Sequence, residues 1–166
     1  MRAAIATVVL IVSSSFAFAQ QPAPNAVASR TMVSAADVAA MIAKAKTDRK
    51  ADQALLAQSM IQLAPYNVSL EYRAAVANAA VHETEAELFY VIDGSATLVT
   101  GGKLTADATR NGANLTGKGI EGGTSRKVAK GDFIMVPENT PHWFSAIDGT
   151  VVLMSLHLPH TASQAK

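Results

Sequence analysis

Residues 80–94 read Ala80-Val81-His82-Glu83-Thr84-Glu85-Ala86-Glu87-Leu88-Phe89-Tyr90-Val91-Ile92-Asp93-Gly94. One histidine and three glutamates lead into an apolar run that stops at Asp-Gly, a dipeptide favoured in hairpin turns. The five residues after Glu87 are all apolar, which predicts a well-buried strand. A carboxylate at the head of such a strand is costly unless a cation or a metal meets it. A second stretch answers the first about 50 residues later: Gly131-Asp132-Phe133-Ile134-Met135-Val136-Pro137-Glu138-Asn139-Thr140-Pro141-His142-Trp143-Phe144. It reads as a strand, a Pro/Asn turn and a histidine opening the next strand.

His82, Glu87 and His142 are candidate metal ligands. Imidazole and carboxylate together suit divalent iron, manganese, nickel, copper or zinc. Two histidines and one carboxylate with open positions is the arrangement of non-haem iron sites. His142 is remote in sequence, and a β-barrel would bring it to the other two, because neighbouring strands run about 4.8 Å apart. The alternative for Glu87 is a salt bridge to Arg73 or another cation. Glu83 and Glu85 read as solvated, with either able to swing in as an oxygen ligand. Tyr72, Phe89 and Phe144 are aromatics that core packing accounts for and that are also candidate lining for a pocket, since ligand pockets are largely apolar.

These two stretches resemble the paired motifs of the cupins, in particular the small single-domain, cupin_2-like members. The first cupin motif is Gly, five residues, His-x-His, three or four residues, Glu, six residues, Gly. Glu87 and Gly94 keep the closing spacing, His82 falls at the second histidine, and Ala80 falls at the first. The second motif is Gly, five residues, Pro-x-Gly, two residues, His, three residues, Asn. Gly131, Pro137 and His142 fit it, Asn139 stands where glycine is usual, and Ala146 stands at the final asparagine. The resemblance covers roughly residues 61–159. It implies an antiparallel jelly-roll β-barrel, a divalent metal, a small-molecule ligand and a homodimer. His157 lies in the last strand on the face of Ser155, Leu153 and Val151. If that face points inward, His157 becomes the fourth ligand candidate, in place of the histidine missing at Ala80.

Around this core the chain divides plainly. Arg2, an apolar run over residues 3–12 and Ala17-Phe18-Ala19 form a secretory signal pattern, with cleavage expected after Ala19. The run is too short to span roughly 30 Å of hydrocarbon, so no membrane association is expected after cleavage. The mature chain is then periplasmic or secreted. Removing 19 of the 166 residues leaves 147, enough for one domain with its own core. Losing Arg2 leaves 13 basic residues against 13 acidic ones, a balance that argues against a nucleic-acid partner. The absence of cysteine excludes disulfides, thiolate ligands and a thiol nucleophile.

Residues 20–33 are rich in Pro, Ala and Asn and read as a flexible leader. A helix is predicted over residues 34–50: Ser34 and Asp37 resemble a capping box, and Val38, Met41, Ile42 and Ala45 recur on one face. The barrel is assigned to residues 51–160. Within it, Pro65-Tyr66-Asn67 is expected to turn, and Val68, Leu70 and Tyr72 alternate with Ser69, Glu71 and Arg73. Hairpins are expected at Asp93-Gly94-Ser95 and at Asp148-Gly149. The glycine-rich stretch 101–123 reads as a long loop at the barrel rim. Its formal G-x-G-x-x-G, Gly117 to Gly122, lacks the preceding buried strand and following helix of a dinucleotide fingerprint. Residues 161–166 read as a frayed tail.

No zincin helix, nucleophile elbow, P-loop or C-x-x-C occurs. The expectation is therefore an all-β, antiparallel jelly-roll barrel preceded by one N-terminal helix. It would bind a divalent metal and act on a small organic molecule by dioxygenase-type or isomerase-type chemistry. The rival from another class is a non-catalytic periplasmic module that binds or senses a small ligand without tight metal.

Overall fold

The computed structural model describes residues 30–160. The signal expected over residues 1–19, most of the leader expected over 20–33 and the tail expected over 161–166 lie outside the described residues. Helix α1 (Ala35–Asp48) begins where its sequence signals lie. The Ser34 hydroxyl accepts from the Asp37 backbone N–H, and the Asp37 carboxylate accepts from the Ser34 backbone N–H. This reciprocal box satisfies two backbone donors that a helix start otherwise leaves open. Just before it, Arg30 forms an antiparallel bridge with Gln62. Among the described residues no helix is long and apolar enough to cross a membrane.

Two long strands, β4 (Glu85–Thr100) and β11 (His142–Pro159), pair antiparallel along most of their length. Their different halves recruit different neighbours. The Glu85 half of β4 pairs with β10 (Phe133–Val136), and the Pro159 half of β11 pairs with β2 (Tyr66–Arg73), which pairs with β1 (Leu55–Leu63). The Thr100 half of β4 pairs with β9 (Thr124–Ala129), and His142 of β11 pairs with Ala80 of β3 (Ala79–His82). Phe89, Val91, Val151 and Leu153 from the first half join Ala96, Leu98, Val128 and Phe144 from the second in one buried cluster. This is the antiparallel jelly-roll barrel that the motifs implied.

A second cluster lies outside the barrel wall. Val68, Leu70 and Tyr72 of β2 pack with Val152, Met60 and Ala45, and Val38, Met41 and Ile42 of α1 close over them. The alternation in β2 therefore works against the usual polarity. Its apolar face meets the helix, while Glu71 and Arg73 turn the other way and are still only 9% and 8% exposed. A strand with a covering layer on each side has no solvent face, so its polar residues are buried too.

Neither Asp-Gly pair makes a hairpin. Asp93-Gly94 lies inside β4 and Asp148-Gly149 lies inside β11, where the register jumps between Ile147 and Val151. Gly94 and Gly149 do take the left-handed φ values that Asp-Gly favours, 82° and 75°. That conformation also builds a β-bulge, which bends a strand without reversing it. The extra residues are on β11 and sit beside Gly94, and the Ser95 hydroxyl donates to Asp148 Oδ2 at 2.8 Å. The turn expected at Pro65-Tyr66-Asn67 is also narrower. It spans Ala64-Pro65, joined by a cis peptide, and β2 restarts at Tyr66.

The stretch 101–123 is ordered rather than a structureless rim loop. It contains β5 (Lys103–Leu104), β6 (Thr109–Asn111), β7 (Asn114–Gly117) and β8 (Ile120–Glu121). β7 pairs with β3 and with β6, and β5 pairs with β8. The Trp143 ring covers Gly119, where a β-carbon would meet it at 3.4 Å, and the Trp143 Nε1–H donates to the Ala77 carbonyl at 2.9 Å. The glycines permit close approach rather than disorder.

Candidate metal centre

The site forms where β3, β4 and β11 meet. Alternation in β4 turns Glu87, Phe89 and Val91 inward; Phe89 and Val91 join the core, and Glu87 is left at its open end with 2% exposure. His82 ends β3, His142 starts β11, and His157 lies opposite Glu87 in the β4–β11 register. The turn between β10 and β11 brings His142 in. Asn139 takes φ 55° at the motif's usual glycine position, a conformation that asparagine tolerates better than most residues. Its backbone N–H donates to the His82 carbonyl at 2.7 Å, tying the turn to β3.

His142 Nε2 lies 3.1 Å and His82 Nε2 lies 3.3 Å from Glu87 Oε2. Ligand atoms of these three residues all fall within 4.8 Å of one another. His157 joins from the other side, with Nε2 3.4 Å from Glu87 Oε1, the oxygen that also accepts from the Ser155 hydroxyl. His82, Glu85 and His157 form a second group that meets the same 4.8 Å criterion. Glu85 thus meets His157 while its side chain stays partly in solvent, and Glu83 pairs with Arg110.

Each imidazole is turned by a partner on its far nitrogen. His142 Nδ1 faces the Thr140 carbonyl at 3.2 Å, His82 Nδ1 faces Asn114 Oδ1 at 2.7 Å, and His157 Nδ1 faces Glu85 Oε2 at 2.9 Å. All three partners present acceptors, which suits a proton on each Nδ1 and leaves each Nε2 turned toward Glu87. Glu87 Oε2 is buried and accepts no hydrogen bond among the described residues, despite the two nitrogens beside it. Two imidazole nitrogens and a carboxylate oxygen converging on one point suit a shared cation, a proton or a metal ion. The donor set is the nitrogen and oxygen mixture that divalent transition metals take. These residues fit the metal that the motifs imply.

Burial pushes the Glu87 carboxyl up, but the adjacent His142 and His82 imidazoles outweigh it and hold the group well below the usual carboxylate range. For His82, burial pulls the imidazole down, and the Glu87 carboxylate and Asn114 more than offset this, leaving it raised. The alternative partner for Glu87 is engaged elsewhere: Arg73 Nη2 lies 2.7 Å from Glu71 Oε2.

A cavity of about 350 Å³ opens onto the site, lined by His82, Glu87, His142 and His157, and also by Ala80, Glu71 and Arg73. The aromatics expected to line it do not. Tyr72 belongs to the cluster beneath the helix, and Phe89 and Phe144 are core residues stacked edge to face at 5.3 Å. Phe89 supports the site from below, its ring centroid 5.9 Å from that of His142. Sequence reasoning weighed Arg73 only as a partner for Glu87 and gave no site role to Glu71, Asn114 or Ser155. The signal for Glu71 and Arg73 was present, since opposite charges two apart on a strand share a face. Asn114 carried none, because only the β3–β7 pairing sets it opposite His82.

A family model described as cupin matches residues 41–166. The chain belongs to the cupin family. No curated protein matches this cupin. Among solved structures it is similar to the Schizosaccharomyces pombe Cnp3 cupin domain, at 14% identity over 68% of this chain and 69% of that one, with a TM-score of 0.48. It is similar to KdgF from Halomonas sp., at 14% identity over 69% and 87%, with a TM-score of 0.48. It is also similar to FeII HppE, at 14% identity over 66% of this cupin and 54% of that chain, with a TM-score of 0.50. This cupin thus spans about half the length of HppE, and identities this low speak to the fold alone.

Proposed function

We propose that this cupin is an exported, homodimeric protein that holds one divalent transition metal and acts on a small organic molecule. His82, Glu87 and His142 would hold the ion, with His157 as a fourth ligand in place of the histidine absent at Ala80. The observation that carries the reading is the buried Glu87 Oε2, unbonded between two Nε2 atoms at 3.1 and 3.3 Å. When bound, the ion supplies a Lewis acid or oxygen activator with positions open to a ligand. The chain's own part is to fix ligand tautomers through Thr140, Asn114 and Glu85, and to hold the Glu87 carboxylate with Ser155. The β4–β11 core excludes water from beneath the site. Dioxygenase-type and isomerase-type chemistry are both compatible with such a centre.

The test is elemental analysis of the protein purified without an affinity tag. One equivalent of a divalent transition metal is expected in the wild type. His82→Ala and His142→Ala are expected to lose it while keeping the far-UV signature of the barrel. Full occupancy in both variants would reject the ligand set. A folded, metal-free wild type that still binds small molecules would favour the non-catalytic binding module. Light scattering that finds only monomer would remove the homodimer.

A further inference from the structure

We propose that the cavity beside the metal triad takes a small monocarboxylic acid, with Arg73 receiving its carboxylate. The inference deepens the metal reading and rests on it. Arg73 is a wall of the same cavity as Glu87, His82, His142 and Ala80. Its guanidinium is pinned on one edge and one face. Nε and Nη2 both reach Glu71 Oε2, at 2.9 and 2.7 Å, and the guanidinium carbon lies 4.6 Å from the centroid of the Phe144 ring. Among the described residues no protein acceptor meets Nη1. A planar guanidinium held this way offers its remaining donors without further ordering, which suits a carboxylate.

Charge then selects the ligand. Glu71 cancels Arg73, Glu87 contributes one negative charge, and histidines that hold a metal are neutral. A divalent ion therefore leaves the loaded cavity with one net positive charge. An uncompensated charge at a buried site is costly, so a monoanion completes the loaded site and a neutral ligand does not. Glu85, outside the cavity lining, is paired with His157 and its side chain is 34% exposed, so solvent screens it. Ala80 presents a methyl group where a histidine would fill the space, which leaves room beside the ion.

The test is calorimetric titration of the metal-loaded protein with lactate against lactamide, and with pyruvate against pyruvamide, with metal content measured in parallel. The loaded wild type is expected to bind each acid at least about tenfold more tightly than its amide, and the chelator-stripped protein to lose that preference. Removing Arg73 alone would strand Glu71, so the variant is the pair Glu71→Gln/Arg73→Gln. It is expected to keep its metal and its fold and to lose the preference for acids. Loaded wild type that treats acid and amide alike, or a double variant that keeps the preference, overturns the inference and leaves the metal reading standing. Wild type that takes up no metal overturns both.

Discussion

Gly94 in β4 lies directly beneath Thr150 in β11: a β-carbon on Gly94 would stand 2.0 Å from the Thr150 carbonyl oxygen. Gly94 also holds φ 82°, so both backbone conformation and space demand glycine. Gly149, within the facing bulge of β11, has φ 75° but nothing within 4 Å of its virtual β-carbon. Gly94→Ala is therefore expected to lose at least about 2 kcal/mol of stability, and Gly149→Ala about 1 kcal/mol. Urea unfolding of the two variants decides this, and equal losses would show that the close approach carries no cost.

Asn114 controls the tautomer of His82 from 2.7 Å away. Asn114→Ala leaves the imidazole free to rotate and to protonate on either nitrogen. Metal affinity is expected to fall about 10- to 100-fold, with the fold unchanged. A competition titration against a chelator reads the effect directly, and an unchanged affinity would remove Asn114 from the site.

His157 differs from His142 in what it touches. His142 Nε2 approaches the unbonded Glu87 Oε2, whereas His157 Nε2 approaches Oε1, which Ser155 already satisfies. His157→Ala is expected to weaken metal binding by about 10- to 100-fold, the loss of a fourth ligand set toward the other carboxylate oxygen, while His142→Ala abolishes it. If both substitutions abolish binding, His157 ranks as an equal ligand.

The metal-free protein is expected to show a stability maximum between the ordinary Glu value of 4.5 and the ordinary His value of 6.5. Glu87 is depressed in the fold, so its contribution is complete above 4.5 and is lost as pH falls through its folded value. His82 is raised, so its contribution is complete below 6.5 and is lost as pH rises through its folded value. Metal replaces the proton between these groups, so loading is expected to move the maximum to higher pH. Melting curves across pH, with chelator and with metal, test this, and identical profiles would contradict it.

Ser34→Ala removes the helix cap. A loss of about 1 kcal/mol is expected, as for other caps. Chemical denaturation reads it, and a loss near zero would mean that packing of Val38, Met41 and Ile42 alone holds α1.

The legible part of this cupin was local. Ser34 and Asp37 marked the helix start, and the apolar run after Glu87 marked a strand whose carboxylate needed a partner. The Asp-Gly pairs show where local reading stops. The dipeptide specifies a left-handed φ, which serves a turn and a bulge equally, and only the neighbouring strand decides between them. Tyr72, Phe89 and Phe144 show the same limit, because alternation assigns a side chain to a face without saying what covers that face.

From its sequence alone, this cupin had its helix start, most of its barrel-strand segments and its metal-competent side chains in view. Those features depend on residues a few positions apart, within reach of backbone period and side-chain chemistry. The tertiary structure alone decided that three Nε2 atoms face one carboxylate, that Arg73 pairs with Glu71 rather than Glu87, and that residues 101–123 supply Asn114 to His82. Each of these depends on which strands lie side by side and in what register, a property of pairings between segments far apart along the chain.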